Sequence, residues 1–304
     1  MSIDRRTFIA AAGTAAVGAA IPGSSNASAA ENSTSAPRMD DSSMVPEPGK
    51  TRFAVNLEMW WTRLPFLDRI REAKKAGFST VEFWPWRGKP LAEIAELCKS
   101  LDIEIAQFTA WGFVPGLNNP KNHQKFVKEI EASCATAHQL NCSKMTVVGG
   151  NDQPGMTPAE MHQNIIDGLR LAAPIAEENQ VMLILEPMNI RVDHKGHCLY
   201  GSPEAVEICR QVDSPMVKLN WDLYHMQISE GDLCGRMRDG FDQIGYLQLA
   251  DHPGRFEPGT GEIHYNRVLK EAWDLGYRGA VGLECRPRNG EEMAVQRVRA
   301  ADVW

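Results

Sequence analysis

Glu186, Asp222, Gln248 and Glu284 each stand at or near the end of a short apolar run rich in β-branched residues: VMLILEP, VKLNWD, IGYLQLAD and GAVGLEC. Each run is followed by a stretch with helical periodicity. Two glutamates, an aspartate and an amide offer hard oxygen donors, a set suited to Mg²⁺ or Mn²⁺ rather than to a thiolate-seeking metal. Taken singly, any one of them reads as a helix N-cap or an isolated buried polar group. At equivalent positions of successive strands they read as a metal site, provided those strands open onto one face.

A closed parallel barrel meets that condition, because all its strand C-termini share one end and its chemistry sits there. From residue 52 the chain alternates strand and helix patterns. RFAVNL (52–57) precedes FLDRIREAKKAG, STVEFW (79–84) precedes LAEIAELCKSL, and EIAQFTA (104–110) precedes a helix across 121–140. KMTVVGG (144–150), VMLILEP (181–187), VKLNWD (217–222), IGYLQLAD (244–251) and GAVGLE (279–284) continue the pattern, each with its own helix. Eight such units are the count of a (β/α)₈ TIM barrel, an α/β fold with one core. Gly77, Gly276 and Gly279 fall where helices should stop. Thr157-Pro158 and Ser202-Pro203 place an N-cap and a proline at helix starts. An open doubly wound sheet is disfavoured, since no GxGxxG follows the first strand.

The N-terminal segment lies outside this pattern. Arg5-Arg6 with Phe8, a weakly apolar Ala/Gly-rich stretch to Ile21, and Ala27-Ser28-Ala29 together read as a cleavable twin-arginine signal over residues 1–29. The stretch is too short to anchor a protein in a bilayer. Residues 30–50 are rich in Ser, Pro, Asn and Asp and read as a disordered linker, leaving residues 51–304 as the barrel domain. The expected location is periplasmic or otherwise extracytoplasmic, by the route that exports folded proteins. A formal charge of −7 disfavours nucleic acid and anionic membrane as partners. Seven cysteines show neither CxxC nor zinc-like spacing, and most fall in strand or helix patterns as small hydrophobes.

Four stretches carry a resemblance to a known family: LEPMN (185–189), WDLYHMQISEGDL (221–233), GYLQLADHPGRFEPGTGEIHY (245–265) and VGLECRP (281–287). The chain resembles the hydroxypyruvate isomerase family, within the xylose-isomerase-like superfamily of TIM barrels, over residues 52–304. NLEMWW (56–61) and VEFWPW (81–86) fit its opening strands, whereas QFTAWG (107–112) departs from the His-Asn pair expected after strand three. The resemblance implies a divalent metal, Mg²⁺ or Mn²⁺, held by Glu186, Asp222, Gln248 and Glu284. It implies interconversion of hydroxypyruvate and tartronate semialdehyde through an enediolate, with Glu186 and Glu284 as the acid/base pair. Related ketose 3-epimerases usually carry His at the position of Gln248, so the amide points to the isomerase. Substrate contacts are expected from His225, just past strand six, and Arg255, in the DHPGR loop. His252, Glu262 and Glu58 read as surface, turn-ordering or supporting groups. Trp60, Trp61, Trp84, Trp86 and Trp111 read either as an apolar wall at the barrel mouth or as a lid or dimer patch. The expected partner is a small hydroxy-keto acid or keto-sugar, with homo-oligomerisation open. Alternatives are a keto-sugar 3-epimerase or isomerase, an inosose-type dehydratase and, from another class, a non-catalytic exported sugar-binding barrel. An endonuclease of the superfamily would want a His-rich metal cluster and a basic face, and the sequence carries neither.

Overall fold

Every predicted strand forms, within two residues of its expected bounds: β1 Arg52–Asn56, β2 Thr80–Pro85, β3 Glu104–Trp111, β4 Lys144–Val148, β5 Met182–Glu186, β6 Val217–Asp222, β7 Ile244–Leu249 and β8 Ala280–Leu283. The computed structural model describes residues 49–304; the signal and most of the linker read from the sequence lie outside the described residues. All neighbouring strands pair in parallel, and β1 pairs with β8, so the sheet closes into a barrel in sequence order. The helices α1 Phe66–Lys75, α2 Leu91–Leu101, α3 His123–Leu140, α4 Pro158–Asn179, α5 Ser202–Val212, α6 Leu223–Ser229, α7 Leu233–Gly240, α8 Tyr265–Asp274 and α9 Glu291–Ala301 connect the strands. Among the described residues no helix is long and apolar enough to cross a membrane.

Strand alternation divides the core in two. One set of apolar side chains, among them Phe83, Leu185, Leu219 and Leu247, packs outward against the helices. The inward set forms tiers. Ala54, Ala106, Ile184, Tyr246 and Ala280 cluster inside the barrel. Two residues further along several strands come Asn56, Glu82, Thr146, Asn220 and Gln248, all buried. A further step brings Trp84, Val148, Glu186, Asp222 and Glu284 to the C-terminal rim, where the period of two puts the reactive side chains on the same inward face as the tiers below.

Helix boundaries follow local chemistry. Thr157 and Glu160 form a reciprocal capping box that starts α4 with Pro158 in its first turn, as predicted. Ser202 is a correction: it is the first residue of α5, not its cap. Its backbone N–H and its hydroxyl both donate to the Glu230 carboxylate, which takes the capping role from a distance. The segment directly after β6, ahead of the predicted helix, is the short helix α6. Asp222 Oδ1 accepts the N–H of Tyr224, and Leu223, Met226 and Ile228 bury its apolar side.

All seven cysteines are free, six of them buried, and burial pushes the Cys98, Cys142, Cys198 and Cys209 thiols up to about 12. Of the five tryptophans read either as a mouth wall or as a lid or dimer patch, only Trp84 lines the cavity at the mouth. Trp60, Trp61 and Trp111 are buried in the core, and half-buried Trp86 donates to Ser133.

Candidate active site

Four side chains from the C-terminal rim converge. Glu186 ends β5, Asp222 ends β6, His225 lies in the first turn of α6 and Glu284 follows β8; each offers one donor atom, all within 4.8 Å of one another. The three carboxylates of this cluster can hold a metal ion. Asp222 divides its carboxylate: Oδ1 caps α6, while Oδ2 is buried with no partner and faces the cluster. An orphaned carboxylate oxygen beside two further carboxylates suits a hard cation.

The electrostatics agree. Burial, then the negative charges of Glu284 and Asp222, holds the Glu186 carboxyl well above its ordinary range. Burial and Glu284 push Asp222 up to about 8. Against these charges stands Arg255, whose Nη2 donates to Glu284 Oε2 at 2.6 Å and lies 3.8 Å from Asp222 Oδ2. Arg255 sits at φ 57°, in the left-handed region, after Gly254 at φ 107°. That conformation costs a non-glycine residue on the order of 1 kcal/mol and turns the guanidinium back over the rim. Glu284 is held from its other side by Trp84, whose Nε1 donates to Oε1 at 2.7 Å. Glu186 accepts no hydrogen bond from any described residue and lines the cavity above the cluster.

His225 is set by a residue that sequence reasoning passed over. Asn189 Oδ1 accepts the N–H groups of Val192 and Asp193, which turns its NH₂ toward His225 Nδ1 at 2.7 Å. Nδ1 is therefore the acceptor. Burial and the positive charge of Arg255 hold the imidazole pKa well below its ordinary value, so the ring is neutral with its proton on Nε2. That N–H, without a protein partner, points among the carboxylates, 3.5 Å from Asp222 Oδ2 and 3.9 Å from Glu186 Oε1. In this tautomer His225 donates to an oxygen and has no Nε2 lone pair to give a metal. The only advance signal for Asn189 was its place in LEPMN.

Gln248, the fourth proposed ligand, has its amide engaged on both sides. Its Oε1 accepts from Asn220 Nδ2 at 2.6 Å and its Nε2 donates to Glu82 Oε1 at 2.9 Å, tying it into the polar tier beneath. Glu82, in the middle of β2, gathers four donors: Asn56, Gln107, Gln248 and Tyr246. Burial and nearby Glu284 still push its carboxyl up to about 7. Gly282 on β8 makes room for it, since a Cβ there would overlap the Glu82 carboxylate. Of the weaker candidates, Glu58 pairs with Lys89 and Arg69, away from the cluster. Glu262 accepts from Gln227, and the glycine turn is ordered instead by Asp251 Oδ2, which accepts the N–H groups of Gly259, Thr260 and Gly261.

The cavity over the cluster encloses about 360 Å³ and reaches from Glu186, His225, Arg255 and Glu284 across to Phe113 and Val148. This size is at the lower end of small-molecule sites.

Comparison with known proteins extends the fold. The family model described as xylose isomerase-like TIM barrel matches residues 70–301. The chain is similar to hydroxypyruvate isomerase of Escherichia coli K12, 31% identical over 251 residues that cover 81% of this chain and 97% of that protein. It is also similar to 2-oxo-tetronate isomerase of Pectobacterium atrosepticum, 32% identical over 252 residues covering 79% and 94%. Among solved structures, that of AP endonuclease, family 2, from Brucella melitensis gives a TM-score of 0.76 at 28% identity, covering 81% of this chain and 97% of that one.

Proposed function

The chain belongs to the xylose isomerase-like TIM barrel family and is an isomerase, and we propose that it is a metal-dependent aldose–ketose isomerase of 3-hydroxy-2-oxo acids. Its parent reaction is hydroxypyruvate to tartronate semialdehyde. The observation that carries this reading is the pairing of a carboxyl that no described residue engages, Glu186, with the His225 Nε2–H in one cavity. Moving a proton between adjacent carbons needs a carboxylate base at the carbon acid and a donor at the oxygens. Glu186 takes the proton from C3 and returns it to C2. The hydroxyl proton passes from O3 to O2 under the His225 N–H. Glu284, held by Trp84 and Arg255, is the fixed side of the pair. Asp222 Oδ2, Glu186, Glu284 and the Gln248 amide oxygen would hold an Mg²⁺ or Mn²⁺ ion. When bound, the ion supplies Lewis-acid polarisation of the substrate carbonyl. Arg255, bordering the cavity, meets the substrate carboxylate. A nuclease is a poorer match, because a chain of net charge −7 has no basic surplus for a phosphodiester backbone.

The test is ¹H NMR of hydroxypyruvate in D₂O with Mn²⁺- or Mg²⁺-loaded protein. Deuterium should enter the carbon-bound positions as tartronate semialdehyde accumulates. Neither exchange nor isomerisation, with metal bound stoichiometrically, would sink this reading. Export of the folded enzyme by the twin-arginine route, supported by Arg5, Arg6, Phe8 and Ala27–Ala29, belongs to the same proposal.

A further inference from the structure

The mouth of the barrel is divided by chemistry. Its polar half is built from β5 to β8 and the segments that follow them: Glu186, Asp222, His225, Arg255 and Glu284. The opposite half, from the ends of β2, β3 and β4 to the residues after β5, presents Trp84, Pro85, Ala110, Phe113, Val148 and Met188 to the cavity. That wall carries little to hydrogen-bond a substrate. The Trp84 indole N–H is already given to Glu284. Thr109 supplies one hydroxyl, and among the described residues no amide or charged side chain lines that side. His194 bridges the halves, its ring stacked on Phe113 at 4.9 Å and edge-on to His225 at 5.2 Å. A three-carbon acid seated at the carboxylates fills only a part of the 360 Å³ and leaves the apolar side unused.

A wall of this kind discriminates. Each polyol hydroxyl pressed against it would lose its water without finding a partner. Each methylene placed there gains burial. Resting on the isomerase reading above, we propose that the preferred substrate is a 3-hydroxy-2-oxo acid whose C3 carries an apolar arm, alkyl or aryl. The acid and the reacting carbons lie at Arg255, His225 and Glu186, and the arm lies against Phe113, Val148 and Met188. The reaction is unchanged: the C3 proton moves to C2, and the arm stays on the carbon that becomes the ketone.

The experiment compares hydroxypyruvate with homologues bearing methyl, ethyl and propyl at C3, and with a polyol arm of the same length as the longest. Deuterium wash-in gives kcat/KM, and competition calorimetry on metal-loaded protein gives Kd. Saturation-transfer NMR reports whether arm protons touch the protein. Affinity should rise roughly fourfold for each methylene buried, with the polyol homologue weaker than its alkyl counterpart. Val148→Thr and Phe113→Ser should each flatten that gradient, the first with almost no change of volume. A flat series, or a polyol that binds more tightly than the alkyl chain, overturns the apolar-arm assignment and leaves the isomerase reading standing. If no member binds or exchanges, the isomerase reading fails and this inference fails with it.

Discussion

The two glutamates of the site differ in their surroundings, and that difference predicts different roles. Glu186 is unengaged, its carboxyl pushed well above the ordinary range by burial and the charges of Glu284 and Asp222, whereas Glu284 is gripped on one oxygen by Trp84 and on the other by Arg255. Glu186→Gln should lower the rate of C–H exchange by roughly 10²–10⁴-fold, because an amide cannot carry the proton. Glu284→Gln should lower turnover as well, but with weakened metal retention as its larger effect. Deuterium wash-in beside metal content by atomic absorption separates the two, and a Glu186→Gln enzyme that exchanges at the wild-type rate would remove Glu186 from the chemistry. Trp84→Phe keeps the aromatic wall and deletes one hydrogen bond to a charged group. Such bonds are worth about 1.5–3 kcal/mol, so kcat should fall roughly 10- to 100-fold with the fold intact by circular dichroism. An unchanged kcat would reduce Trp84 to a packing residue.

At the scale of elements, β2 and β8 are coupled through a buried carboxylate and the one small residue that admits it. Gly282→Ala would drive a methyl group into the Glu82 carboxylate and against Gln248. Overpacking of this kind typically costs about 1–3 kcal/mol. Urea unfolding should show that loss, and Gln248 should lose its hold on Glu82, lowering metal affinity in the same variant. If Gly282→Ala matches the wild type in both measurements, the polar tier is not the support of the site that its hydrogen bonds indicate.

For the whole molecule, the acid cluster makes stability depend on pH and on metal together. Glu82 near 7 and Asp222 near 8 have folded-state values raised above the ordinary carboxylate range. Between that range and pH 8 the folded state therefore binds more protons than the unfolded one. Stability of metal-free protein should then fall as pH rises from about 5 to 8, the full contribution being present only below the unfolded value. A divalent cation takes the place of the Asp222 proton, so Mg²⁺ or Mn²⁺ should remove that share of the decline and be bound with proton release. Thermal unfolding with and without chelator checks this, and a Tm of the chelated protein that is flat or rises over this interval contradicts it. At the N-terminus, Lys in place of both Arg5 and Arg6 should leave precursor in the cytoplasm on fractionation; undiminished export would make the pair incidental.

The alternation of strand and helix patterns was enough to determine the barrel, because closure of eight βα units leaves few other arrangements, and the period of two puts Glu186, Asp222 and Glu284 on one rim. Periodicity says which way a side chain points along its own strand; it says nothing of what meets it from another. The hold of Trp84 and Arg255 on Glu284, separated from it by 200 and 29 positions, exists only once the barrel has closed. The same holds for the Asn189 amide that sets the proton on His225, and for the Glu82 network that draws Gln248 downward. Tertiary structure also reassigned the tryptophans, burying Trp60, Trp61 and Trp111 and leaving Trp84 at the cavity, since indole area is buried wherever helices and strands leave room for it. Local pattern carried the fold and the acids; the direction of each proton and the apolar half of the mouth were decided by contacts between distant parts of the chain.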